Sequence, residues 1–441
     1  MDAPDALSGV PPVPRTTRLS YRRGFATTLA LDVVARGFSA ISVVVLVRGL
    51  DVSAYAFMTL FMTVAQFTSS AATGGVRTMY LRTEAERVSR GSRGSAGDFL
   101  SACVRAAVIL AAFAGVVLAA SAFVHFSGTS SSTTRLVAYS LAFAAGFATV
   151  ELAIAHYQAH RRFFKAGLLN AGRGAVILAV SIVVTATSSA GLLAILFTLG
   201  LALLGAVAVV SVLRGAPTPA ARTLRPRFSA EEVWLSAYFL AAAGFAYVDI
   251  VVAGALLDSH EVASLGAGLR YLAVVLGAVP ALGAVLRVRT SQVDVVDSLE
   301  RQRRMMLAWV KRAAAPVALT FAVIALLAPV VIPHIDHGRY PASVQVLQIF
   351  LVMAFTAYVT APMASMLMAQ RRYPVLAALY GLALTINLAG DLVVAQRYGV
   401  VGIAIVSSST YAVLDTTMSL TALRGTRRKV SATLPTRPFS V

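Results

Sequence analysis

The sequence predicts an all-α membrane protein with twelve transmembrane helices in two six-helix lobes, related by a pseudo-twofold axis along the membrane normal. Three observations predict this fold: an apolar composition, twelve long apolar segments, and an alternation of basic and nearly uncharged connections. Of the 441 residues, 58% are hydrophobic and 13% are charged, and the mean hydropathy is +0.77. Soluble domains carry about 25% charged residues. The composition therefore excludes an ordinary soluble enzyme and a disordered or fibrous chain.

Each of the twelve apolar segments is long enough to cross a bilayer, which takes about 20 residues of helix. Their high content of Ala, Gly, Ser and Thr suits the close packing of helices in lipid. The predicted spans are residues 24–47, 54–76, 99–124, 135–157, 167–186, 190–212, 233–256, 262–286, 308–331, 343–369, 374–396 and 401–423.

The basic residues predict the orientation of these spans. If the N-terminus lies inside and residues at the edges of the spans are counted with the connections, 30 of the 38 basic residues fall on the inner side, and the outer side holds only Arg48, Arg135, Arg339 and Arg397. By the positive-inside rule, both termini are expected in the cytoplasm of a cell whose cytoplasmic membrane holds the chain. These charges explain most of the net charge of +19 through contact with anionic lipids, so nucleic acid is not an expected partner.

A long, proline-containing connection without an apolar run predicts the division of the chain. It covers residues 213–232 and contains Pro217, Pro219 and Pro226. Because six helices precede it, both halves enter the membrane from the same side, as parallel repeats do. The predicted organisation is a disordered cytoplasmic tail (1–23), an N-terminal lobe (24–212), a cytoplasmic linker (213–232), a C-terminal lobe (233–423) and a cytoplasmic tail (424–441).

Ionisable side chains inside the spans are the functional candidates, because each costs at least ~2.5 kcal/mol at the centre of a helix. Arg36 follows Asp32 by four residues on one helical face. This spacing fits either a self-neutralising pair or an arginine that faces a polar cavity. The others are Arg105, Glu151, Arg173, Asp249, Arg270, Asp391 and Asp415.

Their predicted depths suggest different roles. Arg105 is expected to extend to the inner interface, and Asp391 is expected to be solvated near an outer end. Glu151 and Arg173 lie at similar depth on consecutive helices, so they are expected either to form an ion pair or to line the inner vestibule. Asp249 and Arg270 occupy comparable depth in the other half and are a second candidate pair.

The chain shows no nucleophile motif, no zinc-ligand spacing and no glycine-rich phosphate loop. We therefore expect neither an enzyme nor a bound metal or cofactor. A membrane-embedded cavity that contains arginines suits the movement of an anionic or amphipathic solute, and two parallel halves suit alternating access.

Short motifs near the C-terminus add a family resemblance. Residues 339–350 begin with Arg-Tyr-Pro, residues 366–372 read Met-Leu-Met-Ala-Gln-Arg-Arg, residues 385–391 read Thr-Ile-Asn-Leu-Ala-Gly-Asp, and Tyr398-Gly399-Val400-Val401-Gly402 opens the last span. They resemble the polysaccharide-flippase branch of the multidrug/oligosaccharidyl-lipid/polysaccharide (MOP) exporter superfamily. Near the N-terminus, the Val47–Tyr55 turn is similar to a family turn but has Asp51 where the family has glycine.

The resemblance implies export of an oligosaccharide linked to a polyprenyl pyrophosphate, for the assembly of a cell-surface polysaccharide. Arg36, Arg270 and Arg173 are then the expected pyrophosphate ligands, because guanidinium groups bind phosphates through paired hydrogen bonds. Coupling to H⁺ or Na⁺ would use Asp32, Asp249 or Glu151. Membrane lipids and polysaccharide polymerase or assembly proteins are the expected partners.

Two other functions stay open. A drug or cation antiporter of the same superfamily would have an acidic, aromatic cavity. A polytopic enzyme of glycan synthesis would need a large outer loop with paired carboxylates, and none is predicted.

Overall fold

The computed structural model describes residues 15–89, 96–125, 131–187, 190–215, 228–276 and 298–432. These residues form helices joined by short connections and contain no strand. The helices are α1 (Arg15–Gly49), α2 (Val52–Ser89), α3 (Ala96–His125), α4 (Ser131–Ala159), α5 (Phe163–Thr187), α6 (Ala190–Gly215), α7 (Ala230–Leu256), α8 (Ser259–Val275), α9 (Ser298–Asp336), α10 (Ser343–Ala369) and α11 (Tyr373–Ala432).

Nine of the described helices are long and apolar enough to cross a membrane. Helices α2 and α8 are the two that do not meet this criterion. Polar residues such as Thr59, Thr63 and Gln66 lower the mean hydropathy of α2. These three residues face the interior of the bundle. The prediction of twelve separate spans is therefore not confirmed, although apolar helices account for most of the chain.

The last two predicted spans form one helical run that bends at Gly399. This residue has φ 57° and ψ −150°, a backbone conformation open to glycine but strained for other residues. A Cβ atom there would lie 2.9 Å from Oε2 of Glu261. That carboxylate accepts a hydrogen bond of 3.0 Å from the backbone N–H of Val400, and so caps the segment that restarts after the bend.

The predicted tails and linker differ in part from the structure. Helix α1 begins at Arg15, inside the segment predicted to be a disordered tail, and α11 continues to Ala432. Residues 1–14, 433–441 and most of the predicted linker (216–227) lie outside the described residues. The division of the chain into two lobes stays a prediction.

Packing is densest within each half of the chain. Helix α1 packs on α5, and α4 packs on both α2 and α6. In the second half, α11 packs on α7 and α10. The main contact between the halves is α2 against α7, with α2 against α8 beside it.

Equivalent hydrogen bonds recur at corresponding places in the two halves. The carboxylates of Asp51 and Asp258 each accept a backbone N–H at the start of the next helix, at 2.7 and 2.9 Å. The bonds from Ala54 N–H and the Ser53 hydroxyl lower the pKa of Asp51, because they favour its charged form. Arg161 and Arg371, in the α4–α5 and α10–α11 turns, both have φ 57°. Parallel repeats would produce this recurrence.

The contact between α2 and α7 depends on two adjacent glycines. A Cβ atom at Gly75 would lie 2.7 Å from the backbone nitrogen of Ser236, and one at Gly74 would lie 2.3 Å from the Phe239 ring. Small residues of this kind let two helix backbones approach closely in a membrane.

We expect Gly75→Ala to destabilise the protein by about 1–3 kcal/mol, because the added methyl group meets backbone that cannot rotate away. Thermal unfolding of the purified protein in detergent measures the effect. The matched control is Gly37→Ala, since a Cβ atom there has no neighbour within 4 Å. Equal stability of the two variants would contradict the close α2–α7 contact.

Candidate functional site

A cavity of about 630 Å³ lies between the two halves of the bundle. Its walls come from α1, α2, α5, α7 and α8, with single contributions from Met353 of α10 and Tyr411 of α11. The three arginines predicted as phosphate ligands, Arg36, Arg173 and Arg270, all line it. No Asp or Glu is among the described lining residues, so the wall of the cavity is positively charged.

Arg36 of α1 contributes an uncompensated charge. No carboxylate oxygen of the described residues lies within 4.0 Å of its guanidinium nitrogens. Asp32, its expected partner one turn earlier, instead accepts a hydrogen bond of 2.7 Å from the side-chain amide of Asn170 on α5. The interpretation of a self-neutralising Asp32–Arg36 pair is therefore wrong, because the amide of α5 satisfies the carboxylate.

Arg270 of α8 is the second cation without a carboxylate partner among the described residues. Its guanidinium carbon lies 5.5 Å from the ring centroid of Tyr55 on α2, a cation–π distance. Tyr55 is completely buried, and its ring packs 5.0 Å from that of Tyr340. The predicted pairing of Arg270 with Asp249 does not form, since Asp249 has other partners.

The guanidinium of Arg173 on α5 contacts three neighbouring side chains. One nitrogen forms an ion pair with Glu151 of α4, and another donates a hydrogen bond of 2.6 Å to Oδ1 of Asn170. The face of the guanidinium lies 4.7 Å from the ring centroid of Phe147. Glu151 also forms an ion pair of 3.1 Å with Arg77 of α2. The predicted Glu151–Arg173 pair is thus confirmed, and Arg77 is a partner that the sequence did not indicate.

Asp249 of α7 lies in a buried cluster of oxygen-bearing groups. Its carboxylate accepts hydrogen bonds of 2.7 Å from the Asn387 amide and 2.7 Å from the Ser407 hydroxyl. The same amide lies 3.3 Å from Asp391, which is completely buried. The expectation that Asp391 is solvated is wrong, because α11 turns this residue toward α7 rather than toward the membrane surface.

This cluster is the place where the described residues could hold a cation. Oδ1 of Asn387 and Oδ1 of Asp391 are buried and have no hydrogen-bond partner in the part of the chain described. Carboxylate, amide and hydroxyl oxygens are the ligands of hard cations. The described residues contain no group of three or more His, Cys, Asp or Glu side chains that could hold a metal ion. The sequence indicated Asp249 and Asp391 as ionisable residues within predicted spans, whereas nothing in it marked Ser407.

The two halves use equivalent Asp–Asn bonds in different surroundings. Asn170 donates to Asp32 just as Asn387 donates to Asp249, each at 2.7 Å. In the first half, the amide oxygen accepts from Arg173, so a cation is built into the network. In the second half, the amide instead faces Asp391, and the network is acidic.

Contacts between the halves of the chain lie at both ends of the bundle. Where α1 meets α2, Arg48 donates to the carbonyl oxygens of Ile335 and His334 at 2.7 and 2.9 Å. Arg339 returns a hydrogen bond of 2.9 Å to the carbonyl oxygen of Arg48.

At the opposite end, where α7 begins, the contacts are ion pairs. Glu231 pairs with Arg82 at 3.4 Å, and Glu232 pairs with Arg105 at 2.9 Å. Arg105 thus extends toward the end of the bundle where α7 begins, and a carboxylate of α7 compensates its charge there. Its position relative to the membrane interface stays a prediction.

Comparison with known proteins identifies the fold. Neither a protein-family model nor a curated protein matches the chain. Among solved structures, an inward-facing multidrug resistance MATE family transporter of the MOP superfamily matches with 15% identity and a TM-score of 0.67, covering 94% of this chain and 100% of that one. The lipid II flippase MurJ, in an inward closed conformation, matches with 12% identity and a TM-score of 0.63, covering 93% and 94%.

A third neighbour is a MOP superfamily transporter from Pyrococcus furiosus, described as having a binding pocket of reverse polarity that suggests a different function. It matches with 13% identity and a TM-score of 0.59, covering 94% of this chain and 95% of that one. The solved neighbours are transporters rather than enzymes. The chain therefore has the fold of the MOP superfamily transporters, as the sequence resemblance implied.

We expect the positive wall of the cavity to attract anionic reagents. A cysteine introduced as Ser39→Cys, in a chain whose single cysteine is removed by Cys103→Ala, lies on that wall. Its reaction with an anionic methanethiosulfonate should be faster than with a cationic one, once both rates are divided by those for a free thiol in water.

The control is Val33→Cys, since Val33 is an exposed apolar residue of the same helix outside the cavity. A Ser39→Cys variant that favours the cationic reagent would contradict a positive cavity.

Proposed function

We propose that the protein exports an oligosaccharide linked to a polyprenyl pyrophosphate by alternating access between its two halves. The observation that carries the proposal is the cavity with Arg36, Arg173 and Arg270 on its wall and no carboxylate among the described lining residues. Keeping uncompensated guanidinium groups within apolar helices is costly, and an anionic substrate would supply the missing charge.

A pyrophosphate fits these residues because each guanidinium offers planar, paired donors to phosphate oxygens. Arg36 and Arg270 are the first ligands we propose, since neither is neutralised by a described carboxylate. They lie on α1 and α8, in opposite halves of the chain. A headgroup held by both would draw the halves together, and Arg173 would add a third contact.

The lipid part of such a substrate need not enter the cavity. The hydrocarbon tail can stay in the bilayer while the charged headgroup crosses through the polar space. The solved neighbour described as a lipid II flippase supports a substrate of this kind, because lipid II is also lipid-linked. Polysaccharide polymerase and assembly proteins are the proposed partners downstream.

The membrane potential favours this direction of transport. We propose the cytoplasmic membrane as the location, with both termini inside, from the distribution of basic residues. Each negative charge that leaves an inside-negative cell gains about 2.3 kcal/mol per 100 mV. A doubly charged pyrophosphate therefore moves outward down the electrical gradient.

Coupling to an inward flow of H⁺ or Na⁺ is a further part of the proposal. The cluster of Asp249, Asn387, Asp391 and Ser407 holds two carboxylates, and no cationic side chain of the described residues pairs with them. A proton or a sodium ion between them would relieve their repulsion. Asp32 and Glu151 were equal candidates on sequence grounds, but each already has a compensating partner in the first half.

A multidrug or cation antiporter is the second candidate, and the MATE neighbour favours it. A cationic drug would need acidic residues on the cavity wall, whereas the described wall carries arginines. The neighbour with a pocket of reverse polarity shows that the charge of the cavity varies within this fold. The polarity of the present cavity therefore favours the anionic substrate.

We expect Arg36→Ala and Arg270→Ala each to lower the rate of flipping by about 10- to 100-fold, because each removes charge-assisted hydrogen bonds to phosphate. The assay uses proteoliposomes and a fluorescent short-chain polyprenyl-pyrophosphate disaccharide. Arg397→Ala is the control, since Arg397 is exposed and lies outside the cavity. Normal flipping by both cavity variants would refute the site, and extrusion of ethidium by the wild type would support the antiporter.

We expect Asp249→Asn and Asp391→Asn to remove any stimulation of flipping by an inward H⁺ or Na⁺ gradient, because a neutral cluster has no need of a cation. The measurement is the flipping rate with and without each gradient at a clamped membrane potential. Asp258→Asn, which changes a carboxylate at the helix cap of α8, is the matched control. A wild type insensitive to both gradients would eliminate coupling while leaving export intact.

A further inference from the structure

Glu151 joins two arginines that have different surroundings. Its Oε2 lies 3.1 Å from a terminal nitrogen of Arg77, and its Oε1 pairs with Arg173. Arg173 lines the cavity, whereas Arg77 is absent from its wall and has a side chain 38% exposed. The carboxylate itself is only 13% exposed. One acid thus stands between a cavity arginine and an arginine outside the cavity.

Arg173 differs in this respect from the other two cavity arginines. Each of its two terminal nitrogens donates one hydrogen bond, to Glu151 and to Asn170, while Arg36 and Arg270 have no described carboxylate partner. An incoming phosphate would therefore find the charge of Arg173 already neutralised, and would compete with the carboxylate of Glu151 for it.

We propose that Glu151 is a built-in counter-anion that occupies Arg173 in the empty cavity and yields it to the phosphates of the substrate. Arg77 is the positioning residue that retains the carboxylate after the exchange. This inference rests on the proposed function, because it assumes an anionic headgroup in the cavity.

The physical reason lies in the cost of leaving a buried charge without a partner. If Arg173 were the only partner of Glu151, its capture by phosphate would strand a carboxylate that is nearly buried. Because Arg77 binds the other oxygen, the carboxylate stays compensated while Arg173 changes partner. The return of Glu151 to Arg173 would then help to expel the headgroup. Glu151 would therefore lower the affinity of the cavity for the headgroup and speed its release.

Amide contacts keep Arg173 in place during such an exchange. Asn170 accepts from Arg173 through Oδ1 and donates to Asp32 through Nδ2, at 2.6 and 2.7 Å. The Phe147 ring covers the face of the same guanidinium. Arg173 can therefore change its anionic partner without leaving the cavity wall.

The test measures binding of geranylgeranyl pyrophosphate to the full-length protein in detergent by isothermal titration calorimetry. Glu151→Gln should tighten binding about 3- to 10-fold, because the competing charge is lost. Arg77→Gln should weaken it by a similar factor, because Glu151 then holds Arg173 alone. Arg77→Lys should stay near the wild type, since it keeps the charge.

The double variant Arg77→Gln with Glu151→Gln decides between exchange and simple electrostatics. If Arg77 acts only through Glu151, the double variant binds as tightly as Glu151→Gln. If each residue acts on the ligand only through its own electrostatic field, the opposite effects of the two substitutions cancel. The double variant would then bind with the wild-type affinity, and this result would overturn the proposal. Glu232→Gln, which removes the acid of the Arg105 ion pair outside the cavity, is the matched control and should leave binding unchanged.

Flipping and lipid controls separate this proposal from the proposed function. Glu151→Gln should bind more tightly yet flip more slowly, because release is slower. Geranylgeraniol, which lacks phosphate, should bind all variants equally. If Arg36→Ala and Arg270→Ala abolish binding but Glu151→Gln leaves it unchanged, export stands and the exchange is refuted. If the wild type does not bind the pyrophosphate, both proposals fail.

Discussion

A charge that is buried among apolar helices must have a partner, because neither lipid nor the helix backbone can replace the water it has lost. This constraint accounts for the contacts of several ionisable groups of the bundle. Asp32 is held by an amide, Glu151 by two arginines, and Arg105 by Glu232. Arg36 and Arg270 depart from the pattern, and both face the cavity, where water or a ligand can reach them. Asp391 and Asp415 depart from it as well, since each is buried and keeps an oxygen without a described hydrogen-bond partner.

The same constraint gives the two halves of the chain different chemistry on a similar framework. Each half brings an aspartate and an asparagine together across two helices at the same distance. Arg173 adds a cation to the first of these bonds, and Asp391 adds an anion to the second. In the proposed mechanism, the acidic network of the second half would serve a cation, whereas arginines from both halves would serve the anionic substrate.

Close packing determines how these groups are held. The glycines of α2 let it approach α7 closely enough for arginines of the first half to reach acids at the start of α7. At the other end, Arg48 and Arg339 exchange hydrogen bonds with backbone carbonyl groups instead. In alternating access, one of these two sets of contacts would break while the other stays formed. The set at the start of α7 consists of ion pairs, whereas the set at Arg48 and Arg339 consists of hydrogen bonds to backbone carbonyl groups.

The sequence by itself determined the helical, membrane-embedded class of the protein and the identity of the buried charges. Hydropathy and charge are properties of local segments, so Arg36, Arg173 and Arg270 could be recognised without a structure. Partners depend on how helices rotate and pack, which a single segment does not encode. Only the tertiary structure decided that Asp32 binds Asn170 rather than Arg36, that Asp391 is buried beside Asp249, and that Arg77 shares Glu151 with Arg173. A helix has several faces, and the neighbours on each face are chosen by packing between segments far apart in the chain.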